Sequence, residues 1–194
     1  MSGQLSDALE AVRAAEIIPA RAPNLAVAAL YYVERLGWPV FPLKPRGKTP
    51  LTEHGFHDAS LDPAVVRDWW TRHADANIGL PTGIRFDVID ADGPEGVAAW
   101  QRIKHRDCQG CSTEAFCGAT GGFTVLAEAF TPGNSTVGRG PGRHLYLPPS
   151  GRGNSARVNG QPLDIRGVGG YVCAAPSVNI AGAAYSWLTP PVAP

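Results

Sequence analysis

Two acids separated by one residue close an apolar run, Gly83-Ile84-Arg85-Phe86-Asp87-Val88-Ile89-Asp90-Ala91-Asp92-Gly93. Read as a strand, the run puts Asp90 and Asp92 on one face, about 7 Å apart along the chain, because alternate residues share a face. Ile84, Phe86 and Val88 have the same parity, so the apolar packing of that face gives way to acid at the strand's end. Neighbouring carboxylates repel unless a cation lies between them. A hard divalent ion bound through oxygen resolves the repulsion. The competing reading is a solvated turn, since Asp-Gly is a common turn pair.

Other residues could complete such a centre. His144 follows a glycine-rich run and shares a strand face with Tyr146, with Arg143 beside it. That placement suits contact with a nucleotide phosphate, against the more ordinary structural histidine. Asp164 and Arg166 also share one strand face. They form either a surface ion pair of little energetic value or a third metal carboxylate beside a triphosphate ligand. Lys44-Pro45-Arg46-Gly47-Lys48-Thr49-Pro50 sets Lys48 and two other cations around a flexible glycine. It is either a solvated turn or a phosphate-facing loop, and it lacks the P-loop pattern. Separately, His105, Cys108, Cys111 and Cys117 crowd into one short stretch, which suits a closed tetrahedral zinc site rather than a disulfide framework. Cys173 lies far from them in an apolar strand and reads as a small buried hydrophobe.

The elements that must position these groups alternate helix and strand. Residues 4–18 have helical periodicity and are followed by a Pro-rich breaker. Asn24 can cap a helix over residues 25–36 that Gly37 ends. Residues 38–43 are extended, and Pro39 and Pro42 suit an edge strand. Asp62-Pro63 is a cap followed by proline at the first helical position, which predicts a helix to residue 73. A further helix is expected over 94–104. Strands are expected near 125–130, 143–147, 163–166, 171–176 and 185–188, with 163–166 and 171–176 forming a hairpin across Gly167–Gly170. Residues 131–142 read as a glycine-rich mobile segment.

The 194 residues allow one sizeable domain with a small appendage, and 44% hydrophobic content supports a core. The 23 glycines and 18 prolines imply many turns and loops and argue against a mostly helical bundle. The formal net charge of zero argues against a broad basic coat. It conceals a local excess over residues 139–166, where Arg139, Arg143, Arg152, Arg157 and Arg166 face the single acid Asp164. No apolar run spans a membrane and no signal-peptide pattern opens the chain, so a cytoplasmic protein without membrane partners is the default. We divide the chain into an N-terminal helix and linker over 1–23, a catalytic domain over 24–188 with the zinc insertion at 105–117, and the start of a C-terminal linker over 189–194.

The ordered set Phe41-Pro42-Leu43, Gly47-Lys48-Thr49-Pro50, Asn77-Ile78-Gly79, Asp90-Ala91-Asp92-Gly93, Gly142-Arg143-His144 and Asp164-Ile165-Arg166-Gly167-Val168-Gly169-Gly170-Tyr171 resembles the bifunctional DNA primase/polymerase domain. This family belongs to the archaeo-eukaryotic primase superfamily and is found in plasmid, phage and prophage replication proteins. The resemblance runs over residues 28–187. It implies an α+β fold of archaeo-eukaryotic primase type, with an RNA-recognition-motif-like antiparallel catalytic sheet joined to an N-terminal α/β module and the zinc loop as an insertion that some members carry. It implies that Asp90, Asp92 and Asp164 bind two catalytic Mg²⁺ or Mn²⁺ ions and that His144 contacts the incoming nucleotide. Arg166, Arg143 and Lys48 are the further candidates for its phosphates. Many relatives have serine where this chain has Gly142, so a hydrogen bond to phosphate is either missing or supplied by backbone. The implied reaction is template-directed primer synthesis and extension from nucleoside triphosphates on single-stranded DNA, with a helicase domain or protein as partner. Two other classes use similar residues: a catalytically silent zinc-containing module that binds single strands, and a metal-dependent phosphodiesterase.

Overall fold

The computed structural model describes residues 24–104, 124–133, 138 and 140–193. The expected helix over 4–18, the zinc quartet His105, Cys108, Cys111 and Cys117, and Arg139 lie outside the described residues. The chain runs α1 (Leu25–Glu34), β1 (Phe41–Leu43), α2 (Pro63–Arg72), β2 (Asn77–Pro81), β3 (Asp87–Ala91), α3 (Gly93–Lys104), β4 (Ala127–Thr131), β5 (Gly142–Leu147), β6 (Leu163–Arg166), β7 (Tyr171–Cys173) and β8 (Ser186–Thr189). One-turn 3₁₀ helices at Gly55–Asp58 and Val158–Gly160 punctuate the loops.

Local chemistry sets the helix starts. The Asn24 side chain accepts from the Ala26 N–H at 2.9 Å, and Asp62 accepts from Ala64 at 2.8 Å with Pro63 behind it. Each such cap contributes about 1 kcal/mol. Chain reversal after α1 falls on Gly37, whose φ of 63° is open to glycine without strain.

The strands form two antiparallel sheets. A small one has the order β1-β2-β7 and a larger one β6-β3-β5-β4-β8. Pro42 lies on the edge strand of the small sheet, where its missing N–H costs no ladder bond. The larger sheet is two-faced. Ile89, Ala91, Leu145, Leu163 and Ile165 pack with Ala99 and Trp100 of α3. Phe86, Val88, Ala127, Ala129 and Tyr146 point the other way, into a cluster shared with α1, α2 and β2. Trp38 fastens that joint: it stacks on Tyr146 at 5.7 Å and tilts against Phe86 at 4.5 Å. Such ring pairs add about 0.5–1.5 kcal/mol each beyond their area.

Two expectations are corrected. The acidic strand begins at Asp87, not Gly83: the Gly83 N–H closes a turn onto the Phe86 carbonyl at 2.8 Å, and Ile84 is 57% exposed. Gly83, at φ 80°, turns the chain from one sheet to the other, which takes Ile84 off the packed face. Nor do β6 and β7 form a hairpin. β6 pairs with β3, and β7 pairs with β2 in the other sheet. The turn between them is captured by Thr82, whose hydroxyl donates to the Gly167 carbonyl at 2.7 Å and whose N–H donates to the Gly170 carbonyl at 2.9 Å. These bonds divert the chain from one sheet to the other.

Candidate active site

Register builds the site. Asp90 of β3 lies directly opposite His144 of β5 on one side and Asp164 of β6 on the other. Three strands therefore present Asp164, Asp90 and His144 as one row across the sheet. The row belongs to the face that carries Val88 and Phe86, at the end where their apolar packing stops. One step back, Val88 lies between Arg166 and Tyr146, which puts Arg166 beside the two acids. Like charges directly opposite each other destabilise a sheet unless compensated. Arg166 supplies compensation: its guanidinium lies 3.0 Å from Asp164 Oδ2 and 3.7 Å from Asp90 Oδ2. The Arg157 backbone N–H donates to the other Asp164 oxygen at 3.0 Å.

His144 is only 2% exposed. Burial pushes its pKa down to about 3; the positive Lys48 and Arg166 add to this, and Asp92 opposes it. The ring is therefore neutral at physiological pH despite Asp90 Oδ1 at 3.6 Å from Nε2, a separation too long for a good hydrogen bond. A neutral imidazole keeps one N–H and one lone pair. Nδ1 is buried and makes no hydrogen bond with the described residues. Tyr185, 6.0 Å away centre to centre, packs against the ring.

Two adjoining cavities open on the row, and Lys48, Asp90, His144 and Cys173 line both. The first, about 270 Å³, adds Arg46, Asp92, Thr131 and Tyr185. The second, about 300 Å³, adds Asn154, Arg166, Gly169 and Gly170. Five of the seven predicted catalytic and nucleotide-binding side chains line these cavities, Asp90, Asp92, His144, Arg166 and Lys48, and a sixth, Asp164, lines neither but lies opposite Asp90 in register.

Arg143 does not join them. It neighbours His144 in the strand and so points to the opposite face, where its Nε lies 3.4 Å from Glu128 and its guanidinium covers the Phe130 ring. It lines neither cavity. Thr131 and Tyr185 were not among the sequence candidates. Thr131 faces Gly142 across the β4–β5 pair, and its Oγ1 lies 2.9 Å from where a Cβ on Gly142 would stand. That Cβ would also come within 2.3 Å of the Ala91 carbonyl oxygen, so the strand crossing leaves no room for a serine at this position. Cys173, buried beneath both cavities, has its thiol pushed up to about 11 by burial and stays protonated.

Among the described residues, no group of three His, Cys, Asp or Glu side chains is arranged to cage a metal ion unaided. The donor set fits a hard cation nonetheless. Mg²⁺ is commonly held by one or two carboxylates, water and substrate phosphate rather than by an all-protein cage. Aspartate oxygens next to cavities that Lys48 and Arg166 also line meet that description.

No curated protein matches the sequence. A family model does match, that of the bifunctional DNA primase/polymerase, N-terminal, across residues 29–194. By that match over most of its length, the chain belongs to the bifunctional DNA primase/polymerase family.

Proposed function

We propose that this domain is a template-dependent nucleotidyltransferase that makes primers on single-stranded DNA and extends them from nucleoside triphosphates. Membership of the family implies nucleotidyltransferase chemistry. The observation that carries the finer reading is the row Asp164–Asp90–His144 with Arg166 and Lys48 at its margin. The strand order β6-β3-β5-β4 also supports an RNA-recognition-motif-like catalytic sheet.

Asp90, Asp92 and Asp164 would hold two Mg²⁺ or Mn²⁺ ions. When bound, these ions supply Lewis acidity to the attacking 3′-hydroxyl and to the departing pyrophosphate. Lys48 and Arg166 neutralise charge on the phosphates, Arg166 from a position that Asp164 already holds before substrate arrives. The neutral His144 donates an N–H to a phosphate oxygen without carrying a buried charge of its own. The Thr131 hydroxyl offers a second donor in the space that Gly142 leaves. The 3′-hydroxyl attacks the α-phosphorus, and the bond to pyrophosphate breaks in line. The spacing of His105, Cys108, Cys111 and Cys117 supports a structural zinc site, and a helicase domain or protein remains the proposed partner. Plasmid, phage or prophage replication is the proposed setting.

Template, labelled nucleotides and Mg²⁺ or Mn²⁺ test the reading, with Asp90→Ala as control. Products longer than a supplied primer, and new primers without one, support it. A shortened template means phosphodiesterase, and an unchanged template with binding alone means a silent module; either result overturns the proposal.

A further inference from the structure

The segment Asn77-Ile78-Gly79 has no role in the chemistry above, and none of its side chains lines either cavity. Gly79 has a packing reason: a Cβ there would stand 2.5 Å from the Phe41 ring. Asn77 is different. It is a polar residue with no exposed surface, at the start of β2. Its amide nitrogen donates to the Gly47 carbonyl at 3.0 Å and to the Val178 carbonyl at 2.7 Å. Its oxygen accepts from the Val178 N–H at 3.0 Å. One side chain therefore ties together two loops distant in sequence. The first loop carries Arg46 and Lys48, the second carries Val178, Asn179 and Ile180, and both wall the first cavity.

The basic loop is otherwise held by few bonds. The Lys44 N–H donates to the Thr49 carbonyl and the Gly47 N–H to the Lys44 carbonyl, both within the loop. From outside, the Tyr171 hydroxyl donates to the Lys48 carbonyl at 3.0 Å. Asn77 grips the residue just before Lys48 and Tyr171 grips Lys48 itself. Fixing a flexible lysine's backbone before substrate arrives removes an ordering cost from binding.

We propose that Asn77 is a positioning residue for the nucleotide: it sets the Lys48 loop against the 177–180 loop so that Lys48 meets the phosphates in a fixed geometry. This rests on the reading of Lys48 as a phosphate contact, and the test separates the two. Asn77→Ala, Lys48→Ala and the double variant are compared by steady-state extension of a primed template, with template affinity and thermal unfolding alongside. Asn77→Ala is expected to raise the nucleotide KM about tenfold, leaving kcat within about twofold and template affinity unchanged, since it removes uniform binding rather than transition-state contact. In the Lys48→Ala background the same substitution is expected to add less than about twofold, because residues acting through one group are non-additive. Equal, additive KM losses in both backgrounds overturn the positioning role. So does a parallel fall of nucleotide use, template affinity and melting temperature. Lys48→Ala with parental nucleotide KM overturns the phosphate contact itself. Asn77→Asp serves if the alanine variant does not fold: it keeps the volume and the acceptor for Val178 but donates to neither carbonyl. It is expected to follow the same pattern.

Discussion

Arg166 stands where the two facing carboxylates of Asp90 and Asp164 need a cation, and Arg166→Gln tests what it does there. Directly opposed side chains on adjacent strands are separated by roughly 5 Å. Two unit charges at that distance repel by about 3 kcal/mol at an effective dielectric constant of about 20. Asp164 and Arg166 are 24% and 36% exposed, so solvent takes up a large share of this. We set the net contribution of Arg166 at about 1 kcal/mol, the upper range for partly exposed pairs. For a chain of this size that lowers the melting temperature by about 2–4 °C in metal-free buffer. Asp164→Asn added to Arg166→Gln is expected to return most of the loss, since it removes the repulsion that Arg166 masks. In the proposed metal site, Arg166 and a divalent cation would compete for the same oxygens. Its removal is therefore expected to tighten Mn²⁺ binding about fivefold in the absence of nucleotide, which is what about 1 kcal/mol amounts to. The nucleotide KM is expected to rise at the same time, because the proposed phosphate contact of Arg166 is lost. Scanning calorimetry and titration of free Mn²⁺ by electron paramagnetic resonance read these effects. An unchanged melting temperature, with Mn²⁺ affinity unchanged or weakened, refutes the argument that Arg166 serves as an internal counter-ion.

Three further outcomes follow from other parts of the molecule. Gly79→Ala drives a Cβ into the fully buried Phe41 ring and is expected to cost about 1–3 kcal/mol, read as a lowered denaturant midpoint at unchanged slope. Cys173, with its thiol held near 11 by burial, is expected to resist alkylation at pH 8 in the folded protein and to react on unfolding, as mass spectrometry of iodoacetamide-treated samples would record; rapid labelling of native protein contradicts this. One zinc per chain is expected by elemental analysis, and Cys108→Ser with Cys111→Ser is expected to lose it together with primer synthesis while much of primer extension persists; equal loss of both activities would indicate a folding role alone.

What the sequence reveals of this site follows from which interactions are local. Side-chain alternation is local, so the switch from Phe86 and Val88 to Asp90 on one face can be read from a few consecutive residues. The same rule assigns Arg143 to the face opposite His144; its charge suggests phosphate, but its parity sends it to Glu128. Register is not local. That Asp90 meets both His144 and Asp164 follows from strand pairings across long stretches of chain, and no short segment encodes them. A family resemblance can bring those residues together where periodicity cannot.

The hairpin expected between β6 and β7 fails for a related reason. Two short apolar strands around Gly167-Val168-Gly169-Gly170 carry every local signal of a hairpin. Instead Thr82, remote in sequence, bonds both ends of the turn, and β7 pairs with β2. The diversion has a functional consequence. It brings Gly169, Gly170 and Cys173 to a cavity whose other wall carries Asp90, His144 and Arg166 from the second sheet. A simple hairpin would have kept all of these on one sheet, beside the acids rather than across from them. Thr82 at the end of β2 and Asn77 at its start thus hold the loops of the two cavities in place. β2 itself lines neither cavity, yet the side chains at its two ends bond loops that line them.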